Sequence, residues 1–247
     1  MNLFIMLYNI HSPLEQFEVV SLAYTEIPYF GHVALTNLGL YTIITVFFVL
    51  AFHILGFNHK IVPSRWSLSL ESSFASVHGL VKSQVGAANE RFLPFVYSLF
   101  FFLLFANLNG NIPYGFTVTT SAIVSMGLSV IVFIGVTILG LSIHKVHFFS
   151  FFVPAGTPLA LVPFLARALS LGVRLLANMA AGHSLMKILG GFLFSLFTSS
   201  FLISILTIVP FVIFIAIIVL EFAVSFIQAY VFCILTSSYI KDAIDLH

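Results

Sequence analysis

The sequence predicts an all-α integral membrane protein, with five membrane-spanning elements and one amphipathic surface helix, the last two spans long and strongly tilted. Three observations carry this. The chain is 60% hydrophobic and only 7% charged, where soluble domains carry about 25% charged residues. Its apolar residues fall in uninterrupted blocks of the roughly 20 residues that a bilayer crossing needs. The final two blocks, 159–197 and 201–240, are each too long for one perpendicular crossing and so must tilt strongly or run partly parallel to the membrane plane, packed on protein.

The elements follow in order within a single membrane domain, 1–247. Residues 1–37 are mixed, with Pro13, Pro28, Glu15, Glu18 and Glu26. Residues 1–11 read as a candidate cleaved leader, although they lack the cationic start of a secretory signal. The first span is 38–57. Next, in 66–88, Leu70, Phe74, Val77, Val81 and Val85 recur at three- and four-residue spacing while Glu71, His78 and Lys82 lie on other faces, the pattern of an amphipathic helix on a membrane surface. A two-helix hairpin occupies 92–143, and Ser125, Gly127 and Gly140 give its second arm small residues for helix contact. Pro154 and Pro158 break the following loop. The two long helices fill 159–240, separated by the small polar run 198–200.

Charge placement predicts orientation. No Lys or Arg precedes Lys60, and Lys60, Arg65, Lys82, Arg91, Lys145 and Lys241 all fall on one side of a five-span chain. The positive-inside rule then puts the N-terminus outside and the C-terminus inside. A net charge of +1 excludes a nucleic-acid footprint, which needs a clustered basic face. Cys233, the single cysteine, cannot form an internal disulfide. With only His53 and His183 in apolar spans and no thiolate cluster, metal and haem sites are not expected. No cofactor is predicted, and the absence of a Walker-type glycine loop leaves nucleotide chemistry to other chains.

The polar residues inside the apolar blocks are the informative ones. Arg174 cannot neutralise itself, because a guanidinium stays protonated, and burying it in hydrocarbon costs from about 3 to more than 10 kcal/mol. Arg167, Ser170, Arg174 and Asn178 share one face at steps of three and four, with Ala177 and Ala181 beside them. On the last helix Glu221, Ser225 and Gln228 form a second stripe, and Glu221 is the only carboxylate between Glu90 and Asp242. A lone carboxylate and a lone imidazole, Glu221 and His183, on neighbouring helices could exchange a proton. The plainer alternatives are an Arg174–Glu221 ion pair that locks two helices, a hydrogen-bonded structural His183, interhelical glue from Asn178 and Gln228, and a snorkelling Arg167.

The run SLGVRLLANMAAGHSLMKIL, with EFAVSFIQAYVFCILTSSYIKDAIDLH, SPLEQFEV, SRW, FANLNGNIPY and FFVPAGTPLALVP, resembles the proton-channel subunit a of F-type ATP synthases, of a mitochondrial, fungal or protist-like kind. The resemblance covers nearly the whole chain. It implies a stator in the mitochondrial inner membrane, with its N-terminus in the intermembrane space and its C-terminus in the matrix. It also implies partners: a rotor ring of carboxylate-bearing hairpins along which the two long helices lie, peripheral-stalk and other membrane subunits, lipid and protons. Two half-channels would meet the ring. Arg174 would keep them apart and draw the ring carboxylate into its ionised form. His183 and Glu221 would pass protons on the inlet side, with Asn107 near the inlet, Asn178 and Gln228 as polar positions flanking Arg174, and Ser170 and Arg167 towards the outlet.

One departure stands out. Relatives of this kind carry a further stretch of about nine residues between LVPFL and ARALSLG, roughly 13 Å of helix, whereas here Leu165 runs directly into Ala166. A shortened helix or a chain break is therefore expected at that junction, together with the loss of an outlet-side carboxylate. Two rival functions remain: a purely structural subunit of a respiratory complex, and a secondary transporter with an Arg-bound anionic substrate, which would show internal repeats.

Overall fold

A computed structural model describes residues 13–27, 31–57, 63–112, 115–145, 161–199 and 206–244. The candidate leader 1–11 lies outside the described residues. Among these residues six α-helices dominate: α1 (Asn37–Gly56), α2 (Arg65–Gln84), α3 (Leu93–Gly110), α4 (Ala122–His144), α5 (Leu161–Ser199) and α6 (Ile208–Ile244). All but α2 contain a segment long and apolar enough to cross a membrane. At 39 and 37 residues, α5 and α6 each extend more than 50 Å at about 1.5 Å per residue, well beyond a hydrocarbon core of about 30 Å.

Local chemistry explains the helix starts. Thr36 caps α1 by accepting from the Gly39 amide at 3.2 Å, and Ser64 caps α2 by accepting from Ser67 at 3.3 Å; such caps satisfy amides that have no partner inside the helix. Pro94 stands in the first turn of α3, where a missing amide costs nothing.

The structure adds a feature absent from the expected all-helical plan. Two strands, β1 (Ser21–Ile27) and β2 (Gly31–Thr36), pair antiparallel with Tyr24 opposite Ala34 and Thr25 opposite Val33. The aromatic and β-branched residues of this mixed region suit strands, but its polar positions are too scattered to read as alternation. Asn37 fixes the hairpin to α1: its Oδ1 accepts from the Val20 amide at 3.2 Å, and its Nδ2 donates to the Glu18 carbonyl at 3.0 Å.

The apolar stripe of α2 is used on protein as well as at the surface. Val77, Leu80 and Val81 are buried among α3 and α6, while Trp66, Leu68 and Phe74 remain exposed. Helix α4 buries Ser125, Ser129, Val132, Val136 and Gly140. Its packing against α5 is close: a Cβ on Gly172 would lie 2.6 Å from Ser129 Oγ and 2.8 Å from Met126 Sδ. On α6, Ala229, Phe232 and Cys233 enter the same core, where the Cys233 thiol sits 3.6 Å from the Val96 carbonyl.

Of the two outcomes expected before Ala166, a shortened helix or a chain break, the break does not occur. Helix α5 runs unbroken from Leu161 to Ser199. Backbone hydrogen bonds propagate cooperatively once a helix exists, and the residues at the junction include no Gly to break it.

Candidate functional site

Helix α5 presents two faces of opposite character. Leu171, Leu175, Met179 and His183, at successive steps of four, are buried against the bundle. Arg174, Asn178, Ala177 and Ala181 are exposed on the other side, flanked by exposed Leu169, Val173 and Leu185. Among the described residues the Arg174 guanidinium has no hydrogen-bond or ion-pair partner, and neither has the Asn178 amide. Ser170 is also exposed on this side.

The buried face leads to a polar cluster. His183 Nδ1 lies 3.3 Å from Glu221 Oε1, both side chains being less than a tenth exposed. At that distance the two are in ion-pair range, yet neither carboxylate oxygen has an aligned hydrogen-bond donor among the described residues. The carboxylate has room because position 182 is glycine: a Cβ there would stand 2.9 Å from Glu221 Oε1. The other ring nitrogen, Nε2, is 3.0 Å from Thr117 Oγ1, and Phe17 meets the imidazole edge-on with ring centres 6.4 Å apart.

One turn along α6 from Glu221, Ser225 joins this cluster to α3. Asn111 Nδ2 donates to Ser225 Oγ at 2.9 Å. Asn107 Nδ2 donates to the Ser225 carbonyl at 3.3 Å, while its Oδ1 accepts from Thr119 at 2.8 Å. Asn109 donates to Thr45 on α1 at 3.3 Å. Asn107, Asn109 and Ser225 are buried and bonded, as polar atoms in an apolar interior must be, whereas Asn111 is half-buried and its Oδ1 has no hydrogen-bond partner among the described residues. Gln228 is half-buried nearby and makes no side-chain hydrogen bond among the described residues.

The structure thus brings His183, Glu221 and Asn107 into one region and leaves Arg174 and Asn178 on an outward face. Arg167 is elsewhere. It is sixteen residues from His183, about 24 Å along the helix, and its Nη1 pairs with Asp242 Oδ2 at 2.9 Å in an exposed bridge. The plain reading in which Glu221 neutralises Arg174 is not what forms among the described residues, since the ion-pair partner of Glu221 is His183. Thr117, Asn109, Asn111 and Gly182 escape a reading of the sequence alone. The available signal was the polar run from Asn107 to Thr120, which is unusually rich in Asn and Thr beside an apolar helix.

Comparison with known proteins gives a consistent picture. The family model described as ATP synthase A chain matches residues 39–241. The chain is 69% identical over 254 aligned positions to ATP synthase subunit a of Mycosarcoma maydis, covering 98% of this chain and 100% of that protein. It is 44% identical over 260 positions to the Kluyveromyces lactis protein of the same name, with 100% of each chain covered. For the Emericella nidulans protein the identity is 43% over 248 positions, covering 96% and 97%. All three alignments are longer than the 247 residues of this chain, so each of these relatives carries residues with no counterpart here.

Proposed function

The chain belongs to the ATP synthase A chain family, and from that premise we propose that it is the proton-translocating stator subunit of a mitochondrial F-type ATP synthase. It has no catalytic site of its own and couples proton flow to rotation of a ring of carboxylate-bearing hairpins. The observation that carries this reading is the division of α5: a permanent cation on an exposed face, and a buried imidazole–carboxylate pair behind it.

In this mechanism protons enter through the polar region of Asn107, Asn111 and Ser225 and reach the His183–Glu221 pair. Glu221 hands them to a ring carboxylate. The neutralised carboxylate turns into the membrane and later meets Arg174. A nearby cation favours the ionised form of an acid, so the proton leaves on the other side, where Ser170 and Arg167 flank the path. Asn178 and Gln228 line the meeting surface. A proton falling through 100 mV releases about 2.3 kcal/mol, which drives the turn. Arg174 blocks direct passage between the half-channels because its charge cannot be relieved by losing a proton.

Orientation fits the same scheme. The α3–α4 connection, the N-terminal turn bearing Phe17 and the His183–Glu221 pair lie at one end of the bundle, while Arg65, Lys82, Arg91, Lys145 and Lys241 belong to the other. The positive-inside rule assigns the first end to the intermembrane space and the second to the matrix.

The test is Arg174→Ala in inner-membrane vesicles. The complex should assemble, and ATP synthesis driven by an imposed proton gradient should vanish. Near-normal synthesis by the assembled variant would overturn the mechanism in favour of a purely structural subunit.

A further inference from the structure

We propose that Thr117 is a positioning residue for His183: its hydroxyl holds Nε2 of the imidazole in both proton states, keeping Nδ1 on Glu221 while a proton crosses the ring. This rests on the proton-path reading above. Three observations support it.

First, the hydroxyl is diverted from its ordinary task. Thr117 is the N-cap of the 3-10 turn Val118–Thr120, yet its side chain makes no cap hydrogen bond. A threonine at that position usually accepts from an amide two or three residues on. Here Oγ1 lies 3.0 Å from His183 Nε2 instead. The backbone is secured by other means, with the Thr120 hydroxyl donating to the Thr117 carbonyl at 2.6 Å.

Second, α3 makes room for this placement. A Cβ on Gly110 would stand 2.8 Å from Thr117 Cβ and closer still to both outer atoms of that side chain. Glycine at 110 therefore allows Thr117 to reach the imidazole.

Third, the ring is held on its remaining sides. Phe17 meets it edge-on, and Nδ1 faces Glu221. A flip of the imidazole would put Cδ2 and Cε1 where Nδ1 and Nε2 now stand and break both polar contacts.

A hydroxyl suits this place because it carries one donor and two acceptor sites. In the tautomer protonated at Nδ1, bare Nε2 accepts from the Thr117 hydroxyl. A hydrated proton arriving at Nε2 makes the imidazolium, and Nε2–H then donates to Oγ1. Nδ1 gives its proton to the Glu221 carboxylate, leaving the tautomer protonated at Nε2, still bonded to Oγ1. The hydroxyl hydrogen has rotated and the ring has changed tautomer, so the cycle closes when the ring regains its Nδ1 proton and the hydroxyl turns back to donate to Nε2. Valine, of nearly the same shape, could serve neither state.

The experiment compares Thr117→Val, Thr117→Ser and Glu221→Gln in vesicles holding the complete complex, reading gradient-driven ATP synthesis in H2O and in D2O. Thr117→Val should slow synthesis roughly tenfold, about the worth of one buried hydrogen bond, and raise the solvent isotope effect, since transfer at the ring becomes limiting. Thr117→Ser should restore both. Should the Val variant fail to assemble, Thr117→Ala carries the same test. Normal rate and isotope effect in Thr117→Val, or a Ser variant as slow as Val, would overturn the proposal. If Glu221→Gln blocks synthesis while Thr117→Val does not, the role of Thr117 alone fails. If both leave synthesis intact, the proton-path reading fails with it.

Discussion

The two sides of α5 solve opposite problems with the same backbone. The inward side holds groups that can change charge, His183 with Glu221, and surrounds them with hydroxyls and amides from α3, α6 and the α3–α4 connection. The outward side holds Arg174, which cannot change charge, and gives it no hydrogen-bond or ion-pair partner among the described residues. A titratable pair has to be enclosed, because only a fixed geometry keeps donor and acceptor within reach in every proton state. A fixed cation that must meet a passing carboxylate has to be left open, since a resident anion would compete for it. The small exposed neighbours Ala177 and Ala181 let a partner helix come close.

This contrast can be broken from either side. After Arg174→Ala, the largest effect on the inward side is expected from Gly182→Val. Its added atoms would collide with Glu221 Oε1 and push the carboxylate off His183. Gradient-driven synthesis should drop by up to about a hundredfold, the cost of roughly 1 Å of misplacement at a reacting group. A variant that assembles and runs at full rate would mean that the pair tolerates displacement.

Asn107→Leu and Asn178→Leu sharpen the comparison further. The first strands the Thr119 hydroxyl, its buried partner, and removes a donor from the Ser225 carbonyl, so the complex should lose about 1–3 kcal/mol of stability, visible as a lower melting temperature in detergent. The second removes no hydrogen bond among the described residues. It should leave the melting temperature unchanged while lowering coupled synthesis. Equal melting shifts would erase the distinction between the two faces.

The smallest effect belongs to Arg167→Gln. The Arg167–Asp242 bridge is more than half exposed on both sides, and such pairs contribute about 0–1 kcal/mol and weaken with salt. A melting difference of a degree or two that disappears at high ionic strength is the expected result.

Much of this was legible in the sequence because charge in an apolar run is rare. Arg174, Glu221 and His183 announced themselves by their isolation, and the helical period assigned Arg174 and His183 to different sides. Thr117 and Gly110 gave no such signal: hydroxyls and glycines are common in membrane helices and their connections, and only the packing of the Val118–Thr120 turn between α3 and α5 shows what these two meet. The β1–β2 hairpin was hidden for a different reason. Its residues alternate too poorly for a period-two pattern, and part of its hold on the structure comes from Asn37, whose side chain reaches back to Glu18 and Val20. At the Leu165–Ala166 junction the expectation of a break rested on missing residues, but helix continuity depends on the residues present, and Leu, Ala and Arg are good helix formers.

The chain carries one cysteine, and Cys233 is sealed in the core between α3 and α6. Buried structural thiols are inert to water-borne reagents. The native protein is thus already a silent background for thiol labelling, and Asn178→Cys or Ala181→Cys can report water access along the open face of α5 without first stripping a cysteine from the fold.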